Sequence, residues 1–162
     1  MCAIIDKSVV HRAFGNKCTE AGKLFRKWIH KGHGRLVVGG KVKKELTENN
    51  NFKDWLREAE RSKLVKLVDD DKVYRRAAVI LEDGLCKSDD WHVIALAQIS
   101  GARLLYANDG NLEQDFDNKR LIDKPRGKVY PEDDRQNQTA RTDKHQLWEF
   151  LNQRDLCKKA DK

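Results

Sequence analysis

One stretch of the sequence decides the fold: residues 88–109 read SDDWHVIALAQISGARLLYAND. The apolar run 93–99 predicts a helix that Ser88 caps and Gly101 ends. Residues 103–107, which follow at once, predict a short strand. A helix that leads directly into a buried strand is typical of a parallel sheet covered by helices on both faces.

The same alternation extends in both directions along the chain. Short apolar runs predict strands over residues 2–5, 35–38, 64–68 and 103–107, with a weaker one over 128–130 before Pro131. Segments of helical period predict a helix after the N-cap Thr19 and others over residues 40–48, 51–61 and 69–82. We therefore predict an α/β fold with a central, mostly parallel sheet of four to five strands flanked by helices.

The chain divides near its last proline. Residues 1–131 form the predicted domain, and residues 132–162 comprise a polar linker and a C-terminal helix from Lys144 to Leu156. This helix either packs back on the domain or binds a partner.

Composition excludes several classes of protein. The 162 residues carry a formal charge of +7, and no run approaches the roughly 20 apolar residues of a membrane span. Asp6 and Lys7 interrupt the apolar start, so we expect no signal peptide, a cytoplasmic location and reduced cysteines. Residues 1–68 hold 16 Lys and Arg against 7 Asp and Glu, which favours a surface for polyanions, although a solvated surface explains such a balance about as well.

Acidic residues lie where the predicted strands end. Asp6 follows the first strand and Asp109 follows the fourth, while Glu45 lies on the helix after the second strand. Asp89 and Asp90 begin the apolar helix, and Asp89 suits the helix N-terminus better than a ligand role. Since strand ends of a parallel sheet converge at one edge, the carboxylates predict a site for Mg²⁺ or Mn²⁺.

Four motifs carry a family resemblance: IIDKS at 4–8, VKKEL at 42–46, DWHVIALA at 90–97 and NDGNL at 108–112. Over residues 1–130 the pattern resembles the PIN domain, a family of metal-dependent nucleases that includes VapC-type toxins. The third motif is the most specific of the four.

The resemblance implies a PIN-like fold and a metal-dependent endoribonuclease, such as the toxin of a toxin–antitoxin or defence system. Asp6, Glu45, Asp90 and Asp109 would be its catalytic and metal-holding residues, with Mg²⁺ or Mn²⁺ activating a water molecule. Asp6 and Asp90 are the better direct ligands. RNA is the implied substrate, and a cognate antitoxin or inhibitor and a homodimer are the implied partners.

Two positions depart from the family pattern. Lys7 replaces a small residue after the first acid, and Ala107 stands where a hydroxyl residue is common; Ser8 and Asn108 are possible substitutes. These departures motivate the alternative function, a weakly active or inactive PIN-fold module that binds RNA or another partner.

Basic residues border the acids. We predict that four of them bind nucleic acid: Lys7, Lys41, Lys43 and Lys44. A second basic group, whose role stays open between phosphate binding and solvation, comprises Lys23, Arg26, Lys27 and Lys31. Trp28 and Trp55 fit helix cores, so we expect no stacking platform for bases beside this second group.

Two weaker alternatives concern other site types. Asp6 after a strand also suits a haloacid-dehalogenase-type phosphatase, but Ser8 occupies the place of that mechanism's second Asp. His30 and His33 have a spacing that metals use, yet solvated or capping histidines are commoner at a helix end. We expect His92 to be a packed histidine.

Overall fold

The computed structural model of the chain describes residues 1–131, 144–153 and 157. Its centre is a five-stranded sheet in the order β3-β2-β1-β4-β5, and every neighbouring pair is parallel. The strands are β1 (Cys2–Ile5), β2 (Arg35–Val38), β3 (Val65–Leu67), β4 (Leu104–Tyr106) and β5 (Lys128–Val129). The predicted α/β fold with a parallel sheet between helices is confirmed.

Eight helices lie within the described residues. They are α1 (Val10–Phe14), α2 (Glu20–His30), α3 (Gly40–Leu46), α4 (Asn50–Arg61), α5 (Asp70–Asp83), α6 (Trp91–Ser100), α7 (Gly110–Asp117) and α8 (Lys144–Leu151). Thr19 caps α2 by accepting the N–H of Gly22, as its position predicts. Gly101 ends α6 in the left-handed conformation that glycine adopts without strain.

Three features differ from the sequence predictions. The helices α1 and α7 were not predicted, because they are short and hold too few apolar residues to show a period. Ser88 does not cap α6: the N-cap residue is Asp90, whose side chain makes no capping hydrogen bond. Asp89 is exposed and one residue too early for the role expected of it.

The core lies on both faces of the sheet. Residues 3–5 of β1 are fully buried, and six of the ten residues of α6 are buried where α5, α3 and β2 contact it. On the other face Phe25 and Trp28 of α2 pack with Tyr106 and Tyr130 in one aromatic cluster. Burial of these large rings supplies much of the apolar area that stabilises the domain.

The C-terminal helix α8 packs back on the domain. Leu147 and Leu151 are buried in the core, and α8 contacts α2. The linker predicted over residues 132–143, and the helical end predicted at Leu156, lie outside the described residues. No described helix has the length and apolar character that crossing a membrane requires.

Candidate acidic site at the carboxyl edge of the sheet

The strand order places a topological switch point beside β1. The chain runs from β1 to β2 and β3 on one side, then returns to place β4 on the other side of β1. In open parallel sheets ligands bind at such a switch point, outside the carboxyl ends of the strands. Asp6 follows β1 and Asp109 lies three residues beyond β4, so both acids face this location in the fold.

Asp6 is held rigidly at the centre of the edge. It is 3% exposed, and its N–H donates to the carbonyl of Tyr106 on β4 at 2.8 Å. Its Oδ2 accepts the N–H of Ser8 at 3.0 Å, and the Ser8 Oγ accepts the N–H of Asn108 at 3.1 Å. The hydroxyl of Ser8 therefore joins the ends of β1 and β4.

The pKa of Asp90 is shifted by the other three acids. The pKa of its carboxyl is raised to about 6, first by burial and then by the charges of Asp6, Asp109 and Glu45, while Lys7 opposes the shift. These side chains come from four separate segments of the chain. The fold thus brings the four carboxylates predicted from the sequence into one electrostatic cluster, which we call the acidic site.

Two lysines neutralise part of this cluster. The Nζ of Lys7 lies 3.2 Å and the Nζ of Lys41 3.7 Å from Glu45 Oε1. The hydrogen bond to Glu45 raises the pKa of the Lys7 ammonium group, and Asp90 and Asp6 raise it as well. Four carboxylates against two ammonium groups leave a formal charge of −2, which is the charge that one divalent cation balances.

Asp109 caps a helix in addition to contributing negative charge to the acidic site. Its Oδ1 accepts the N–H groups of Asn111 and Leu112, which makes it the N-cap of α7. Next to it, the side-chain Oδ1 of Asn108 is buried and has no hydrogen-bond partner among the described residues. A buried oxygen without a donor is costly unless a water molecule or a cation satisfies it.

His92 lines the rim on the α6 side. Its ring packs edge to face against Tyr74 at 5.5 Å, as expected of a packed histidine, and no described group bonds its buried Nδ1. Burial lowers the pKa of the imidazole; Lys41 lowers it further and Glu45 opposes the shift. Burial and Lys41 therefore favour the neutral form of the ring.

Sequence reasoning missed the group that positions Asp90. Asp115 on α7 is buried and accepts three hydrogen bonds, from the N–H groups of Lys87 and Ser88 and from the Ser88 hydroxyl. The Ser88 Oγ in turn accepts the N–H of Asp90 at 3.2 Å. A single acid in an unrecognised helix carries no sequence signal for this role, because two of its three partners are backbone groups.

Other predicted residues do not join the acidic site. Lys43 and Lys44 share α3 with Glu45, but Lys7 and Lys41 make the ion pairs that the structure records there. His30 accepts a hydrogen bond from the Trp55 indole, and His33 packs against Trp148. The His30 ring and the His33 ring therefore contact different tryptophans.

The acidic site has the charge and ligand types that suit a metal ion, but its ligands are not grouped around one position. The charge, the all-oxygen side chains and the unsatisfied Asn108 oxygen suit Mg²⁺ or Mn²⁺. Within the described ranges, however, no three or more Asp, Glu, His or Cys side chains are grouped as ligands of one ion. In the place of a metal ion, the Nζ of Lys7 donates a hydrogen bond to the carboxylate of Glu45.

Compared with family models, with curated proteins and with solved structures, the chain gives no significant match. Fold and site geometry are therefore the physical basis for a functional assignment.

Proposed function

We propose that the protein is a metal-dependent endoribonuclease of the PIN-domain type. The observation that supports the proposal is the placement of four carboxylates at the switch point of a parallel sheet, where burial together with the charges of Asp6, Asp109 and Glu45 raises the pKa of Asp90. Acids crowded in this way repel each other unless a cation offsets their charge. Mg²⁺ or Mn²⁺ is the proposed cofactor, and RNA is the proposed substrate by resemblance.

Each acid has its own part in this proposal. Asp6 and Asp90 would hold the cation, since Asp6 is buried and fixed by hydrogen bonds and the pKa of Asp90 is raised by burial and by its acidic neighbours. Glu45 and Asp109 already serve Lys7 and the α7 N-terminus, so they support the site from its rim. The bound cation supplies a water molecule of lowered pKa and neutralises the scissile phosphate.

Lys7 and Lys41 complete the proposed substrate side. Both ammonium groups reach Glu45 and remain substantially exposed, so they border the acids with positive charge that a phosphate backbone can approach. In the toxin variant of the proposal, a cytoplasmic antitoxin would insert a basic side chain among the same acids. A homodimer is a further proposal, tested by mass in solution.

The test is cleavage of labelled single-stranded RNA by the purified protein with Mn²⁺ or Mg²⁺. We expect fragments that disappear with EDTA and with Asp6→Asn. The matched control is Asp89→Asn, which removes a neighbouring but exposed carboxylate and retains cleavage. Cleavage that survives EDTA and Asp6→Asn alike belongs to a contaminant and ends the proposal.

A second candidate function is a PIN-fold module that binds RNA with little or no turnover. The specific observation in its favour is the Lys7 ion pair, because an internal ammonium group offsets acid repulsion without a metal. RNA binding that depends on salt, persists in Asp6→Asn and produces no fragments would favour this candidate.

Lys7→Met separates the two candidates. Removal of a positive charge beside a divalent cation is expected to strengthen Mn²⁺ binding by about tenfold, since unit and double charges about 6 Å apart in water repel by about 1.4 kcal/mol. Without metal the same variant melts at a lower temperature, because the acids lose their counter-ion. Isothermal titration with Mn²⁺ and thermal melting measure both effects.

The matched control for Lys7→Met is Lys44→Met on the same helix as Glu45, which leaves both measurements near the wild-type values. A metal-binding site is contradicted if neither wild type nor Lys7→Met binds Mn²⁺.

A further inference from the structure

The second basic group of the sequence forms a groove in the fold. The groove has a volume of about 480 Å³ and is lined by four basic side chains, Lys23, Arg26, Lys27 and Lys31, together with His30 and two small residues. No acidic side chain of the described part lines it. We call this feature the basic groove.

The arrangement follows from the amphipathic helix α2. Phe25, Trp28 and Ile29 are fully buried and fix the helix on the core, so the basic residues must face outwards. Lys23 is paired with Glu20 at 3.1 Å, whereas the structure records no carboxylate partner for Lys27 among the described residues. The positive charge is thus concentrated towards the C-terminal end of α2.

An aromatic ring stands at this end. The Nζ atoms of Lys27 and Lys31 lie 5.7 Å and 5.9 Å from the centre of the Trp148 ring, and His33 packs against that ring edge to face at 5.8 Å. Trp148 is only partly buried on α8. This ring comes from a helix distant in sequence, so the positions of Trp28 and Trp55 in the sequence did not indicate it.

The opposite side of the groove borders a cavity with acidic side chains. Arg26 also lines a neighbouring cavity that contains Trp55 together with Asp54 and Glu58. The Trp55 indole donates to His30 Nε2 at 2.8 Å, so that ring is already engaged. A polyanion is therefore favoured on the Trp148 side and disfavoured on the side of the two acids.

We propose that the basic groove binds the backbone of a single-stranded RNA and that Trp148, which lies beside the groove, stacks against one of its bases as Lys27 and Lys31 move from the ring to the phosphates. Phosphates suit the lysines and a base suits the ring, which is how proteins hold single strands with little sequence preference. The choice of RNA as ligand rests on the proposed function. The groove itself contains none of the four acids, so it is a second contact for the strand.

The test is fluorescence anisotropy of a labelled oligouridine in EDTA, with the Asp6→Asn protein to prevent cleavage. We expect Lys27→Met with Lys31→Met to weaken binding about tenfold and to reduce the salt slope by about 1.4, since each single-strand phosphate contact contributes about 0.7. Trp148→Leu is also expected to weaken binding about tenfold, and Trp148→Phe to retain most of the affinity.

Lys72→Met on α5 is the matched control and binds RNA like the parent. Circular dichroism establishes that the Trp148 variants stay folded; if Trp148→Leu unfolds, the comparison of Trp148→Phe with the lysine pair decides. Unchanged affinity in the double lysine variant overturns the proposal. Binding to phosphatidylserine vesicles but not to RNA, lost in the same variant, overturns it in favour of an anionic membrane surface.

The outcomes for groove and nuclease are distinguishable. Groove-dependent RNA binding without any cleavage by the wild type supports the groove and contradicts the nuclease. Metal-dependent cleavage with RNA binding that does not depend on the groove supports the nuclease and contradicts the groove.

Discussion

Asp90→Asn is expected to raise the melting temperature of the metal-free protein at pH 7 by about 2–4 °C. The pKa of Asp90 rises from 3.8 to about 6 in the folded state, so keeping the carboxylate charged costs folding free energy. The group is only partly buried, and solvent screening reduces that cost to about 1 kcal/mol. The amide removes both the charge and its repulsion with the neighbouring acids.

The pH dependence has a definite sign. A carboxyl whose folded pKa is raised destabilises the protein above its unfolded pKa, so the penalty is absent below about pH 4 and complete above about pH 6. The difference in melting temperature between Asp90→Asn and wild type should therefore grow across this window. A difference that is constant with pH would contradict the electrostatic origin.

The same variant should lose its response to metal. Mn²⁺ at a hundred times its Kd stabilises a folded protein by about 2.7 kcal/mol, and we expect this gain in wild type but not in Asp90→Asn. Asp89→Asn is the control and keeps the gain, since Asp89 is exposed and outside the acidic site. A stabilisation by Mn²⁺ that is equal in all three proteins would place the ion elsewhere.

Asp115→Ala is expected to have the largest effect on stability, a loss of about 3 kcal/mol. The substitution leaves the N–H groups of Lys87 and Ser88 and the Ser88 hydroxyl without their shared acceptor. For a chain of this size, that loss corresponds to a fall in melting temperature of about 10 °C. Thermal melting followed by circular dichroism measures it.

Asp115→Ala should also weaken the acidic site. Ser88 holds the N–H of Asp90, so a loosened Ser88 no longer fixes the start of α6. We expect weaker Mn²⁺ binding even at temperatures where the variant is folded. Asp117→Ala, an exposed acid on the same helix, is the matched control and changes neither quantity appreciably. Metal affinity that survives Asp115→Ala would show that Asp90 is positioned by other contacts.

The sequence by itself determined the architecture, because the strands and the longer helices each have a local cause. The apolar run before Gly101 can only be a buried helix, and the short apolar strands can only pack in a covered parallel sheet. The positions of Asp6 and Asp109 after their strands follow from the same pattern. Short elements such as α1 and α7 were not predicted, because one or two turns hold too few residues to show a period.

Only the tertiary structure decided which side chains meet. The Lys7 pair with Glu45 joins residues 38 positions apart, and the contact of Asp115 with Ser88 joins residues 27 apart. Trp148 reaches the lysines of α2 because Leu147 and Leu151 bury α8 against the core. Such contacts depend on how helices and strands pack in space, and no local pattern of residues encodes that packing.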